Sequence, residues 1–248
     1  MSRQHESYRA WRCVLAAVAA GALMGVSVPV FATSAAYPAD SVIFGATYGD
    51  WSAAWQQWAL SMPSAKHPLF DTADCSTGQS GPVWFLGGRY CGTEQPGCQS
   101  LPAERTCTVP HGKALYFPIV NSACLDTEAE KGFCGSAQPI IAQMRAYLAG
   151  YLDEATDLRV TVDGKPLQGG DIKKGFRVKS PVHPVTLPAG NLLQALDENI
   201  PAGTYLNVDD GYYVMLQPLP QGNHTINFHG RFPQQNFTLD FTYRLTVQ

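Results

Sequence analysis

Six of the seven cysteines (Cys75, Cys91, Cys98, Cys107, Cys124 and Cys134) crowd into residues 75–134. No CxxC pair occurs among them, and no histidine stands at zinc-finger spacing from any of them. An even set of such thiols reads as a disulfide framework that staples long loops onto a compact body. Six cysteines admit fifteen pairings. Cys91 and Cys98 flank a Gly- and Pro-containing turn, and Cys124 and Cys134 enclose a second polar loop, so both pairs are expected to close locally. That leaves Cys75 for Cys107.

A framework of this kind needs an oxidising compartment, and the N-terminus supplies a route to one. Arg3, Arg9 and Arg12 precede an uncharged run, VLAAVAAGALMGVSVPVF from Val14 to Phe31, with small residues around Ala32. This is the pattern of a signal peptide over residues 1–32, with residues 33–248 as one mature domain. Cys13 stands at the front of the apolar run without the small-residue context of a lipid-modified cysteine. No later stretch reaches spanning length, so no stable membrane span is expected after cleavage. The expected location is secreted or periplasmic. The net charge is −3 and becomes more negative once the leader is removed; with no basic cluster anywhere, nucleic acid is not an expected partner.

Along residues 33–248 a helix is predicted from Asp50, its expected cap, through Trp51, Trp55, Trp58 and Met62, which recur on one helical face and stop at Pro63. A second helix is predicted over 137–155, with Ser136 as cap and Pro139 in its first turn. Between them, Val83–Leu86, Arg105–Val109 and Lys113–Val120 read as strands, the last two separated by a turn at Pro110-His111-Gly112. Beyond residue 155 the period becomes two. Asp163-Gly164 and Asp210-Gly211 are hairpin turn signals, the second joining Thr204–Val208 to Tyr212–Leu216. The clearest strand runs from Phe237 to Val247, where apolar and polar residues alternate without a break. Only 15% of residues are charged, and 23 Gly and 18 Pro punctuate the short runs. The fold class is therefore all-β (β-rich α+β): an antiparallel two-sheet sandwich with an N-terminal helix and one inserted helix.

Chemistry is harder to locate. Trp51 and Trp55 offer rings that could stack on a ligand, although such a stripe more often packs a core. His67, Asp71 and Asp74 place an imidazole and two carboxylates on one loop, where acid–base work competes with simple turn and cap chemistry. Asp209 and Tyr212 flank the Asp210-Gly211 turn and could form a polar end of the sandwich. Gly78-Gln79-Ser80-Gly81 falls short of a nucleophile elbow, and the metal, nucleotide and dinucleotide motifs are missing, so neither metal nor cofactor is expected.

Three stretches carry a resemblance: GPVWFLGG from Gly81, RTCTVPHGKALYFPIVN from Arg105, and DGYYVMLQPLPQGNHTINF from Asp210. Together they resemble a family of exported bacterial proteins to which no activity is attached. The resemblance implies a bacterial, exported, single-domain protein and transfers no catalytic residue. The leading functional expectation is non-catalytic binding of a glycan or another envelope component. The alternatives are an extracellular hydrolase or lyase using Asp71, Asp74, His67 or Asp209, and an envelope structural or interaction protein.

Overall fold

The computed structural model describes residues 36–90, 101–127, 134, 140–167, 171–196 and 200–248. The leader, Cys91, Cys98, Ser136 and Pro139 lie outside these residues, and with them the expected Cys91–Cys98 bridge and the expected start of the second helix.

In chain order the strands and helices begin with β1 (Val42–Ile43), β2 (Ala46–Thr47) and α1 (Tyr48–Leu60). Next come β3 (Val83–Phe85), β4 (Ala103–Val109), β5 (Ala114–Leu125), α2 (Ile140–Asp153), β6 (Thr156–Val162) and β7 (Lys165–Pro166). The rest is α3 (Ile172–Gly175), β8 (Arg177–Lys179), β9 (His183–Leu187), α4 (Leu192–Ala195), β10 (Gly203–Leu216), β11 (Gly222–Phe232) and β12 (Phe237–Val247). The larger strands form two five-stranded sheets, ordered β3-β5-β10-β8 with β9 also on β10, and β4-β12-β11-β6-β7.

The sheets face each other across one core. Phe117, Tyr212, Val214 and Leu216 of the first meet Ile226, Phe228, Phe241 and Tyr243 of the second. Phe117 stacks on Phe228 with centroids 5.1 Å apart. β12 buries Leu239, Phe241, Tyr243, Leu245 and Val247, as its alternation predicts. α1 covers the outer face of the first sheet with Tyr48, Trp55 and Ala59 against Tyr116, Tyr213 and Met215. Burying those large rings is what holds a helix of low intrinsic preference in place.

The sandwich is therefore as expected, with three corrections. Thr47, and not Asp50, caps α1; Asp50 is its reciprocal partner, with the Thr47 N–H donating to Asp50 Oδ2 over 2.9 Å. Two pairings are parallel, β3 with β5 and β4 with β12, so the sheets are mixed. The turn expected at Pro110-His111-Gly112 is present, with Gly112 at φ 84°, and it carries the chain from one sheet to the other. Finally, Asp210-Gly211 is no hairpin. β10 runs unbroken through it, with Gly211 opposite Asn121 on β5 and Val178 on β8. A Cβ at 211 would lie 2.6 Å from Asn121 Cβ, so this glycine serves a close approach, not a turn. Asp163-Gly164 does turn β6 into β7, both residues having positive φ.

Two disulfides lie among the described residues. Cys75–Cys107 ties the loop before β3 to β4 and so joins the two layers, while Cys124–Cys134 closes a loop at the end of β5. Such bridges belong to an oxidising environment. No helix among the described residues is long and apolar enough to cross a membrane.

Candidate functional site

The loop after α1 makes two short 3-10 turns, Ser64–Lys66 and Pro68–Phe70, with His67 between them. His67 Nδ1 accepts from the Leu69 N–H over 3.1 Å, so Nε2 carries the proton and donates to the Ala59 carbonyl 2.6 Å away. The ring is fully buried. Burial pulls its pKa down to about 4, against the opposing effect of the Ala59 bond and with help from the Arg105 charge. Both nitrogens are used by backbone, which removes His67 as an acid or base. Asp74 accepts from the Ser76 N–H at 2.7 Å, and the Ser76 hydroxyl and then this N–H lower its pKa, which is turn chemistry.

Asp71 has a structural task as well. Its two oxygens take Arg105 Nε at 2.6 Å and Arg89 Nε at 3.0 Å. Arg105 is buried, lies over the Phe241 ring at 4.8 Å, and donates from Nη1 to Tyr243 Oη at 2.6 Å. Tyr243 passes its proton to the Gly87 carbonyl at 2.7 Å and accepts from the Gly87 N–H. This hub pins the strap Gly87–Tyr90 between the layers. The strap fits because its first two residues lack side chains: a Cβ at Gly87 would meet Trp55 at 3.0 Å, and one at Gly88 would meet Leu239 at 2.9 Å.

One wall of a cleft is formed by that strap. The cavity has a volume of about 230 Å³ and lies where β5 runs past the end of β3. Its apolar lining includes Trp55, Tyr151, Phe232, Phe237 and Leu239, and its polar side chains include Arg89 and Asn121. Tyr151 stacks on Phe232 at 4.6 Å, giving the far wall a rigid aromatic face.

Behind Asn121, under α1, lies a buried polar cluster. Asn121 Nδ2 donates to Tyr213 Oη over 3.1 Å, and Tyr213 donates to Asp209 Oδ2 over 2.8 Å. Ser52 Oγ stands 3.0 Å from Asp209 Oδ1 and 2.9 Å from the Gly49 carbonyl. Burial raises the pKa of Asp209, opposed by the bonds from Tyr213, Ser180 and Ser52, and burial likewise raises that of Tyr213. Arg145 spends its guanidinium on the backbone carbonyls of Asp209 and Ser180 and not on the carboxylate. Tyr212 points the opposite way into the core, with the Arg177 guanidinium 5.8 Å from its ring; Arg177 also grips Asp210 through two 2.9 Å bonds.

Of the seven residues singled out by sequence, Trp55 alone lines the cleft. Trp51 is half-buried and donates to the Ile43 carbonyl over 3.0 Å. Tyr212 is core, and no hairpin tip exists for it to decorate. Asp71 touches the cleft only through Arg89, and Asp209 only through Tyr213 and Asn121. The four groups offered as hydrolytic machinery therefore do not converge on it. Sequence reasoning missed Arg89, Asn121, Tyr151 and Phe237 as lining residues, since none stands in a catalytic or ligand-binding motif. Among the described residues no group of three His, Cys, Asp or Glu side chains could hold a metal ion.

No protein-family model matches the chain, and no curated protein matches it. Two solved structures align over much of it at low similarity. The solution structure of amebosin shares 12% identity, covering 68% of this chain and all of that one, with a TM-score of 0.23. PbICP-C, solved in complex with falcipain-2, shares 8% identity, covering 66% of this chain and 98% of that one, with a TM-score of 0.24.

Proposed function

We propose that the protein is an exported, non-catalytic binding protein whose ligand is a small envelope component with an apolar ring. The cleft beside β5 carries this reading. It is concave, walled by aromatic side chains and supplied with few polar groups, which is how small-molecule sites are generally built. Its volume lies just below the roughly 300–1,000 Å³ usual for drug-sized ligands, which suits a single ring. A glycan demands many hydrogen-bond partners, and beside Arg89, Asn121 and the rings of Tyr90 and Tyr151 the lining side chains are apolar, so the apolar occupant is the better fit. Export through a leader over residues 1–32 agrees with the disulfide that joins the layers.

A hydrolase or lyase gains little support, because His67, Asp71, Asp74 and Asp209 are each committed to structural bonds. An envelope interaction role draws on a specific feature, the exposed Val42 and Phe44 (67% and 51%) around the β1–β2 turn. That tip is small beside the patches that mark protein interfaces.

The test is a titration with phenol and, separately, glucose and N-acetylglucosamine, following the Trp55 indole N–H by NMR. For about seven non-hydrogen atoms at roughly 0.6–0.9 kcal/mol each, phenol should bind with a Kd between about 1 mM and about 0.03 mM. Tyr151→Ala should weaken it about tenfold, and the sugars should leave the indole signal in place. No response to phenol, or sugar binding unaffected by Tyr151→Ala, would overturn the reading.

A further inference from the structure

We propose that Asn121 sets the selectivity of the cleft by presenting its carbonyl oxygen Oδ1, so that the favoured ligand carries an O–H or N–H donor on its ring, with Tyr213 and Asp209 as the positioning residues. The proposal rests on the cleft reading above and adds the polarity of the group recognised.

The backbone aims Asn121 first. Opposite Tyr212 and Tyr213 the β5 register slips, Val120 facing Tyr212 and Pro118 facing Tyr213, with Ile119 as the extra residue. A bulge of this kind redirects the side chains that follow it. Asn121 thereby lies across Gly211, where any side chain would block it, and its amide reaches Tyr213.

Counting protons then fixes which end of the amide faces inward. Tyr213 has one hydroxyl proton, and Asp209 Oδ2, 2.8 Å away, takes it. With its proton spent, Tyr213 Oη can only accept, so the amide must offer Nδ2. The result is the same if the carboxyl is protonated on Oδ1, the oxygen that faces Ser52. A proton on Oδ1 would be donated to Ser52, which would donate to the Gly49 carbonyl, leaving Tyr213 pointed at Oδ2.

Asn121 Oδ1 is thus the end left over. Asn121 lines the cleft, and Oδ1 is the end of its amide not turned to Tyr213. The β5 wall beside it supplies no competing donor at Pro118, which has no N–H. Arg89 is the charged donor of the lining, and its Nε is already held by Asp71. A side-chain amide oxygen in the lining selects a ring that carries a donor.

The experiment compares phenol with anisole, its O-methyl counterpart, on the full mature chain by the same NMR titration. Phenol should bind about tenfold more tightly, the value of one modest hydrogen bond. Asn121→Ala should bring the ratio of the two affinities near one while anisole binding stays within about twofold. Tyr213→Phe, which frees the amide to turn over, should do the same. That ratio is insensitive to a general loss of stability, and Asn121→Ala decides alone if Tyr213→Phe does not fold. Equal binding of both probes to the wild type, or a preference for phenol that survives Asn121→Ala, would overturn this inference and leave the cleft reading intact. Binding of neither probe would remove both.

Discussion

Arg105 Nη1 donates to Tyr243 Oη over 2.6 Å, joining β4 to β12 beneath the strap that bounds the cleft. The phenol serves three groups at once, since it also bonds the carbonyl and the N–H of Gly87. Tyr243→Phe therefore strands the Gly87 N–H and leaves Arg105 Nη1 and the Gly87 carbonyl only their longer 3.3 Å bond to each other. The expected loss is about 1–3 kcal/mol in urea denaturation, with weakened ring binding because the strap loses its anchor. A variant as stable as the wild type would show that the Arg105–Asp71 pair holds the loop without help.

Cys75 and Cys107 join opposite layers with a sequence separation of 32. Replacing both by serine should lower stability by about 2–4 kcal/mol, measured as a shift of the denaturation midpoint against the oxidised protein. Adding reductant to the wild type should reproduce that loss.

His67 gives the stability a pH dependence with a definite sign. Its ordinary value is 6.5 and its folded value is about 4, so a falling pH protonates the unfolded chain first. Stability conferred by the neutral ring is complete above pH 6.5 and declines toward pH 4, by about 3 kcal/mol at full extent. Denaturation between pH 7 and 5 should show this slope in the wild type and lose it in His67→Gln. By NMR the His67 ring should still be neutral at pH 5.

At Gly211 a methyl group would approach Asn121 Cβ to 2.6 Å and the Tyr213 ring to 2.8 Å. Gly211→Ala should cost about 1–3 kcal/mol through forced repacking, and should shift the Asn121 side-chain amide in NMR spectra. A fully tolerated alanine would mean that β10 and β5 sit further apart here.

The same glycine marks the limit of what the chain discloses locally. Asp-Gly is a strong turn signal, yet at 210–211 it sits within a central strand, where Asp210 is paired with Arg177 and Gly211 makes room for Asn121. At 163–164 the identical dipeptide does turn, because β6 and β7 have nothing beyond them to continue into. Tertiary surroundings override local preference here. β12 and the Trp55–Trp58 face of α1 were legible because half-burial leaves a period in the sequence. The parallel pairings were not, since they unite segments far apart in the chain. The cleft was hidden for the same reason: Arg89, Asn121, Tyr151 and Phe237 come from four separate segments.

The neighbours of β12 bear on how the molecule is made. This final strand occupies an interior place in its layer, with β4 on one side and β11 on the other. β4 is synthesised more than a hundred residues earlier and can find its hydrogen-bonding mate only when Phe237–Val247 arrives. Such long-range closure is slow, and it keeps a partly synthesised chain from completing its body. For a polypeptide threaded across a membrane before its cross-links form, as proposed above, that delay is an advantage.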